Sequence, residues 1–164
     1  MAKGKKKNSV KKTMTPRIAN RRAFRDYDVE EKLETGIELL GSEVKSIRNG
    51  QASLAEGFAK IETDPLELYL YNVEIAHYRQ AGINQHEPKR PRKLLAHKRQ
   101  IRELQGKTSS KGVTLIPLAM YFKRGMVKVE VGVARGKREH DKREDIKKRD
   151  ADRAMRRAMT RAKI

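Results

Sequence analysis

The chain of 164 residues contains no cysteine and no tryptophan, and only five tyrosines and three phenylalanines. Without cysteine it can form no disulfide framework and no thiolate zinc site, and it has no cysteine nucleophile. Its four histidines, His77, His86, His97 and His140, lie at least nine residues apart, unlike the closely spaced pairs that bind metals. These absences argue against a metalloenzyme and against a thiol enzyme.

Long apolar runs are missing too. No stretch approaches the ~20 consecutive apolar residues that cross a bilayer, so we expect no membrane span. The first residues form a lysine-rich run without the apolar segment of a secretory signal, and we therefore expect a cytoplasmic protein. Hydrophobic residues make up 37% of the chain, which predicts one compact domain with appendages rather than two domains.

Catalytic signatures are also absent. The sequence has no phosphate-binding loop of the GxxxxGK type, no GxGxxG turn, no HExxH zinc motif and no GxSxG nucleophile elbow. Glu30, Glu31 and Glu43 have no histidine at a spacing that would form an acid–base pair, and we expect these carboxylates to be solvated at the surface. The sequence therefore predicts a protein without enzymatic activity, metal or cofactor.

Acidic residues are scarce, since 21 Asp and Glu face 40 Lys and Arg and the formal net charge is +19. This balance is typical of proteins that bind polyanions such as RNA. The excess lies at the two ends: residues 1–25 carry +10 and residues 135–164 carry +7, whereas residues 26–134 carry only +2. A near-neutral globular middle with two basic arms is therefore predicted.

The middle of the chain has the patterning of β-strands. In residues 126–133 valines alternate with other side chains, the period-2 pattern of a half-buried strand, and residues 113–122 form a second β-rich run. The link Lys123-Arg124-Gly125 between them predicts a hairpin with Gly125 at positive φ.

A second hairpin is predicted from residues 58–61 and 66–71, which flank the turn Thr63-Asp64-Pro65. Upstream, we expect one strand from Asp28 to Leu40, with a bend or bulge at Gly36.

Two short helices are expected to interrupt the strands. Ser42 is the predicted N-cap of the first, which ends at Asn49-Gly50. The second is expected to run from about Leu94 to Gln105, with Gly106 closing it. Many short strands with two helices predict a mainly β fold, an OB-like closed β-barrel with flanking helices, and an open α+β sheet is the alternative.

The two ends are expected to form basic arms around a domain at residues 20–136. Residues 1–19 have no periodicity, and self-repulsion predicts disorder. Residues 137–164 carry a stripe of alanine and methionine among Lys and Arg, which predicts a helix too short and too charged to be stable alone. We expect it to be disordered when free and to fold against a polyanion. A membrane-surface helix is the weaker alternative, because the stripe lacks tryptophan, phenylalanine and leucine.

Three features allow both a functional and a structural interpretation. The run Lys89-Arg90-Pro91-Arg92-Lys93 suits phosphate but is equally typical of a solvated loop. His140 lies among cations after the last strand, where it can stack on a base or be incidental. Four tyrosines are either base-stacking or packing groups: Tyr69, Tyr71, Tyr78 and Tyr121.

Several segments, in the same order, resemble the small protein B family of bacterial tmRNA-binding proteins, over about residues 20–145. The motifs are Asn20-Arg21-Arg22-Ala23, Leu40 to Arg48, Asn72 to Tyr78, Arg92 to Leu95 with His97-Lys98-Arg99, and Gly132 to Lys137 running into Asp141-Lys142-Arg143. The resemblance implies a protein that binds the tRNA-like domain of tmRNA. It also implies delivery, with elongation factor Tu, to ribosomes stalled on messages that lack a stop codon. The C-terminal tail is expected in the small-subunit decoding centre and the empty message channel, and no catalysis is implied.

The resemblance assigns residues as well. Asn20, Glu34, Leu95 and His97 match family positions at the tmRNA-binding surface, and Arg48 and Lys93 lie in the same motifs. The tail positions at the decoding centre are Gly136, Lys137, His140, Asp141, Lys142 and Arg143, which favours a functional role for His140. His97 departs from a frequent Asn, Gly57 from a Ser or Cys, and His77 from a Pro. A general RNA chaperone or a structural ribosomal protein is the alternative function, since both combine basic tails with a barrel.

Overall fold

The computed structural model describes residues 16–83, 85–138 and 150–159. Within these ranges the chain forms nine strands, three helices, a short helical turn (Arg79–Ala81) and a helical segment at residues 150–159, which we call the tail helix. The elements in chain order are β1 (Ile18–Ala19), α1 (Ala23–Asp26), β2 (Tyr27–Ile37), α2 (Gly41–Arg48), β3 (Ala52–Ser53), β4 (Phe58–Thr63), β5 (Leu66–Tyr71), β6 (Glu74–Ile75), β7 (Arg92–Leu95), α3 (Lys98–Thr108), β8 (Val113–Lys123) and β9 (Met126–Gly136).

The strands pair in an antiparallel sheet with the order β1-β8-β4-β5-β7-β2-β9, and β9 also pairs with β8. The hydrogen-bonded pairing of β8, β4, β5, β7, β2 and β9 therefore returns to its starting strand. β3 and β6 form a separate two-stranded ribbon. The expectation of a mainly β fold with short helices is confirmed.

The main apolar core is built from alternate residues of the long strands. Val127, Val129, Val131 and Val133 of β9 are all buried, as the period-2 pattern predicts. Their neighbours in the core come from β5, β7, β8 and one face of α3: Leu68, Leu70, Leu94, Leu115, Met120, Ile101 and Leu104. The middle of β8 is buried on both faces, because Ile116 and Leu118 pack with Ala23 and Ala134 in a second, smaller cluster.

Both predicted hairpins are present. Lys123 pairs with Met126 across a tight turn in which Arg124 and Gly125 have φ of 51° and 80°, so the turn needs two left-handed residues. In the other hairpin Thr63 pairs with Leu66.

β2 differs from the prediction at Gly36. The strand ends at Ile37 rather than Leu40, and its irregularity lies between Val29 and Glu31. Gly36 itself is regularly paired, and a Cβ there would lie 3.1 Å from the Leu95 Cβ. The glycine therefore allows β2 and β7 to approach closely and does not bend the strand.

Both helix starts were predicted wrongly. The N-cap of α2 is Leu40, whose amide donates a hydrogen bond of 2.7 Å to the Glu43 carboxylate, while Ser42 lies inside the helix. The second predicted helix is too early, because Leu94 belongs to β7 and α3 begins at Lys98. Gly106 lies within α3 rather than at its end. The C-terminal stop of α2 at Asn49-Gly50 is confirmed, with Gly50 at φ 74°.

The arms are described only in part. Ile18 and Ala19 pair with Met120 and Ala119, so they are strand residues and not part of a disordered arm. The tail helix agrees with the predicted helical pattern, and all its side chains are exposed. The rest of both predicted arms, residues 1–15, 139–149 and 160–164, lies outside the described residues. None of the helices in the described ranges is long and apolar enough to span a membrane.

Candidate RNA-binding surface

A groove of about 570 Å³ lies between β2, β7 and the start of α3. It brings together four of the residues predicted for RNA binding: Glu34, Lys93, Leu95 and His97. Its lining also includes Lys98 of the same motif, and Glu67 and Lys128, which the sequence did not single out. We call this the β2–β7 groove. A strand pairing between β2 and β7 creates it, and the groove therefore has no local signature in the sequence.

Glu34 lies on the outward face of β2. Its carboxylate accepts a hydrogen bond of 2.5 Å from the Tyr121 hydroxyl and bonds of 2.8 and 3.0 Å from the Lys123 ammonium group. These hydrogen bonds hold the pKa of Glu34 below its ordinary value, and the bond from Lys123 has the larger effect. Glu34 is thus a fixed, ionised hydrogen-bond acceptor at the groove.

Leu95 places an apolar side chain on the same rim. Leu94 points into the core, so the next residue of β7 points outward, and Leu95 is 52% exposed. Opposite it lies Gly36, which has no side chain to cover it. An exposed leucine at a polar groove can pack against the apolar face of a base or sugar.

His97 and the start of α3 close the groove at one end. His97 is the N-cap residue of α3, and its amide donates to the Gln100 side chain at 3.0 Å. The imidazole ring is exposed, so it is accessible for stacking or hydrogen bonding. The amides of the first helical turn add partial positive charge at this end.

The groove has an excess of positive charge. Lys93 forms an ion pair with Glu67, and the hydrogen bond to that carboxylate raises the pKa of Lys93. Lys98 and Lys128 line the same groove. Cations thus outnumber the carboxylates of Glu34 and Glu67, which suits a surface that meets phosphates.

Asn20 and Arg48 do not line this groove. Asn20 is only 5% exposed, and its amide group donates to the carbonyls of Leu54 and Pro117 at 2.9 and 3.0 Å and accepts from the Ala23 amide at 3.1 Å. Arg48 ends α2, and its guanidinium group lies 5.5 Å from the centre of the Phe122 ring. The internal bonds of Asn20 assign it to holding the turn before α1.

The basic run at residues 89–93 is only partly solvated, because its two arginines bind a buried carboxylate while Lys89 stays exposed. Arg92 is fully buried and donates to the Glu43 carboxylate at 2.8 Å, and Arg90 donates to the same carboxylate at 2.7 and 2.9 Å. Glu43, expected at the surface, is fully buried. Burial alone would raise its pKa, but hydrogen bonds from Arg90, the Leu40 amide and Arg92 together lower it.

The tyrosines also have internal partners. Three of their hydroxyls donate to carboxylates: Tyr69 to Glu67, Tyr71 to Glu62 and Tyr121 to Glu34. Tyr78 lies beneath the Lys45 ammonium group, 5.1 Å from the ring centre. The sequence did not reveal Tyr121 and Lys123 as partners of Glu34, because the pairs are 87 and 89 residues apart.

The root of the C-terminal tail is fixed at the other end of β9. Gly136 pairs with Tyr27, and the Lys137 amide donates to the Asp26 carbonyl at 3.0 Å. The other predicted tail positions, His140, Asp141, Lys142 and Arg143, lie outside the described residues. Within the described ranges no three His, Asp or Glu side chains gather as a metal site.

A family model described as SmpB protein matches residues 17–161. The chain belongs to the SmpB family. Its relatives include the SsrA-binding protein of Carboxydothermus hydrogenoformans, 54% identical over 140 residues, which cover 85% of this chain and 93% of that protein. The SsrA-binding protein of Chloroflexus aurantiacus is 52% identical over 145 residues, covering 88% and 89%. The family resemblance inferred from the motifs is confirmed.

A solved structure described as "tmRNA-SmpB: a journey to the center of the bacterial ribosome" contains a chain similar to this SmpB family member. The two superpose with a TM-score of 0.65 and share 46% sequence identity. The match covers 80% of this chain and 94% of the other. The fold described above is therefore shared with an SmpB protein.

Proposed function

We propose that the chain binds the tRNA-like domain of tmRNA and delivers it to stalled ribosomes in trans-translation. Its relatives are named SsrA-binding proteins, and the similar solved structure is of tmRNA-SmpB and the bacterial ribosome. The observation that carries the proposal is the β2–β7 groove, in which Glu34 of β2 lies beside Leu95 and His97 from a distant part of the chain.

The groove offers the chemistry that a folded RNA loop needs. Unpaired bases expose donors and flat faces, which an ionised carboxylate, an exposed leucine and an imidazole can meet. Lys98 and Lys128 can neutralise phosphates, which position the RNA without reading its sequence. Asn20, being buried, supports the surface by fixing the turn before α1 instead of contacting RNA.

The recognition domain in this proposal begins with β1 at Ile18 and ends at Gly136, and basic arms precede and follow it. The closed cycle of strand pairing supports an OB-like barrel for the domain. The tail would occupy the decoding centre and the empty message channel, with elongation factor Tu in the delivery complex. The protein would act in the cytoplasm as a binding protein, without catalysis.

The RNA that co-purifies with the tagged protein from its host tests this function. Sequencing should find abundant tmRNA, whereas a broad mixture of RNAs would support a general RNA chaperone. A structural ribosomal protein would instead co-purify with ribosomal RNA alone. Salt titrations provide a second distinction, because a chaperone loses affinity for all RNAs alike, while a reader of tRNA shape keeps its preference.

The groove is tested by Glu34→Ala. Loss of a charged hydrogen bond should weaken binding of the tRNA-like domain by about 1 to 3 kcal/mol in a gel-shift titration at fixed salt. Glu103→Ala is the matched control, since Glu103 is an exposed carboxylate of α3 that pairs with Arg99 and lies outside the groove lining. Equal affinities of the two variants would remove the groove from the proposed binding site.

A further inference from the structure

Two carboxylates face each other on the outer surface of the sheet. Glu34 of β2 and Glu130 of β9 are directly opposed in the strand register. Like charges in opposed positions repel, so their position requires compensation. Both are compensated: Tyr121 and Lys123 of β8 donate to Glu34. Glu130 is bound by Arg17, the residue before β1, at 2.9 Å and by Lys32 of β2 at 3.6 Å.

The two halves of this network are joined at Tyr121. The Arg17 guanidinium group lies over the Tyr121 ring, 4.9 Å from its centre, while it binds Glu130. The pairing of β1 with β8 through Ile18 and Met120 places Arg17 there. One face of the ring and the hydroxyl are therefore both engaged, which favours a supporting role for Tyr121 over stacking on a base.

The hydrogen bonds leave one acceptor site on Glu34. A carboxylate oxygen has two lone pairs. Among the residues that the structure describes, Oε2 accepts from both Tyr121 and Lys123, whereas Oε1 accepts only from Lys123. One lone pair of Oε1 therefore remains, on a side chain that lines the β2–β7 groove.

We propose that Tyr121 and Lys123 are positioning residues for RNA recognition, which hold the Glu34 carboxylate so that Oε1 receives one hydrogen-bond donor of the RNA. This inference rests on the proposed function. A lone Lys–Glu pair at the surface would be mobile, whereas the added tyrosine, fixed by Arg17, restricts the carboxylate to one orientation. The donor is a base N–H or a ribose 2′-hydroxyl, because a phosphate has none to offer.

The charges around Glu34 favour its ionised form. Lys123 and Tyr121 face it from β8, Lys128 and Glu130 from β9, and Lys93 lies in the same groove. The hydrogen bonds from Lys123 and then Tyr121 lower the pKa of Glu34, and Lys128 adds to this. Removing the tyrosine hydroxyl should therefore raise the pKa of Glu34. As the pH is lowered, the variant should then lose RNA binding at a higher pH than the parent protein.

The test is a double-mutant cycle on the full chain with a transcript of the tRNA-like domain. Glu34→Gln and Tyr121→Phe should each weaken binding about three- to tenfold at neutral pH. The double variant should bind no worse than Glu34→Gln, because Tyr121 acts through the carboxylate. In Tyr121→Phe the acid midpoint of binding should also move to higher pH.

Tyr71→Phe is the matched control. It removes a hydroxyl that donates to Glu62 at 2.6 Å, outside the groove lining, and should leave affinity and its pH profile unchanged. Lys123→Gln tests the same carboxylate from an exposed position if Tyr121→Phe is poorly folded. Its loss should likewise disappear in the Glu34→Gln background.

The inference would be wrong if Tyr121→Phe and Lys123→Gln bound RNA with unchanged affinity. It would also be wrong if their losses of affinity added to the loss caused by Glu34→Gln. The proposed function would stand in both cases. A parent protein without preference for tRNA-like RNA would overturn both. Single 2′-deoxy substitutions in the loops identify the donor. If the donor is a 2′-hydroxyl, Glu34→Gln causes no additional loss of affinity for the one RNA that lacks this hydroxyl. If the donor is a base N–H, Glu34→Gln weakens binding to every substituted RNA.

Discussion

At the scale of single residues, Glu43 holds a fully buried carboxylate between two arginines. It accepts hydrogen bonds from Arg90, from Arg92 and from the Leu40 amide, so α2 is tied to the segment before β7. Arg92, equally buried, also donates to the carbonyls of Val73 and Pro88 at 2.7 and 2.9 Å. The desolvation penalty of a buried charged pair is offset only when its hydrogen bonds are satisfied, as they are here.

Glu43→Gln should therefore destabilise the fold by about 3 to 5 kcal/mol, because Arg92 would remain buried without its countercharge. Urea unfolding at neutral pH measures the loss. The matched control is Glu103→Gln, which removes the exposed partner of Arg99 and should cost no more than about 0.5 kcal/mol. Equal unfolding midpoints for the two variants would contradict the role given to the buried pair.

The same carboxylate should make stability depend on pH. Its pKa in the folded state lies below the ordinary value of 4.5, so its stabilisation is present above that value. The stabilisation is lost as the pH falls through the folded-state pKa. Unfolding free energies measured from neutral pH downward should fall less steeply in Glu43→Gln than in the parent, and parallel curves would contradict this.

At the scale of elements, the sequence predicted what depends on local pattern. The alternating valines of β9 and the turn at Gly125 fix one hairpin within a few residues of chain. β7 has only four residues, too few to show a period, so Leu94 was assigned to the following helix.

The partners Glu43 and Arg92 are 49 residues apart, and no local signal connects them. The family resemblance singled out Glu34, Leu95 and His97, which the structure places along one groove, but it could not show that Asn20 is buried.

Gly57, before β4, lies where close packing leaves no room for a side chain, although the resemblance led us to expect Ser or Cys there. A Cβ there would lie 2.5 Å from a methyl group of Val73 and 3.0 Å from the Pro117 ring. Gly57→Ser should destabilise the fold by about 1 to 3 kcal/mol. Adding Val73→Ala should recover part of that loss, so a double-mutant cycle in urea should show a favourable interaction, and strictly additive costs would contradict the steric explanation.

The tail helix is tested by amide hydrogen exchange. Its side chains are all exposed, and a short, exposed basic helix is marginal in water. Residues 150–159 should exchange rapidly in the free protein and become protected when the chain binds its RNA partner. α3, whose Ile101 and Leu104 are buried, should be protected in the same sample. Strong protection of residues 150–159 without RNA would contradict a conditional helix.

At the scale of the whole molecule, recognition and sensing are assigned to different parts. The β2–β7 groove adjoins Lys128 near the start of β9, whereas the tail leaves from Gly136 at the end of that strand. β9 rises ~3.4 Å per residue, so the eight residues between these points separate groove and tail root by about 27 Å. The groove and the tail root are therefore different regions of the molecule.

Deleting residues from Asp141 onward should leave binding to the tRNA-like domain nearly intact, apart from a weaker salt dependence as nonspecific phosphate contacts disappear. Tagging of a nonstop message in a reconstituted translation system should nevertheless fail, because tmRNA would arrive at a decoding centre that receives no signal. His140→Ala should give a milder defect, as should charge reversal at Lys142 and Arg143, since stacking and phosphate neutralisation are partly redundant. Glu34→Ala is the opposite control, weakening tmRNA binding while the tail is intact. If the truncated chain tags normally, or loses affinity in proportion to its loss of tagging, the division between groove and tail is wrong.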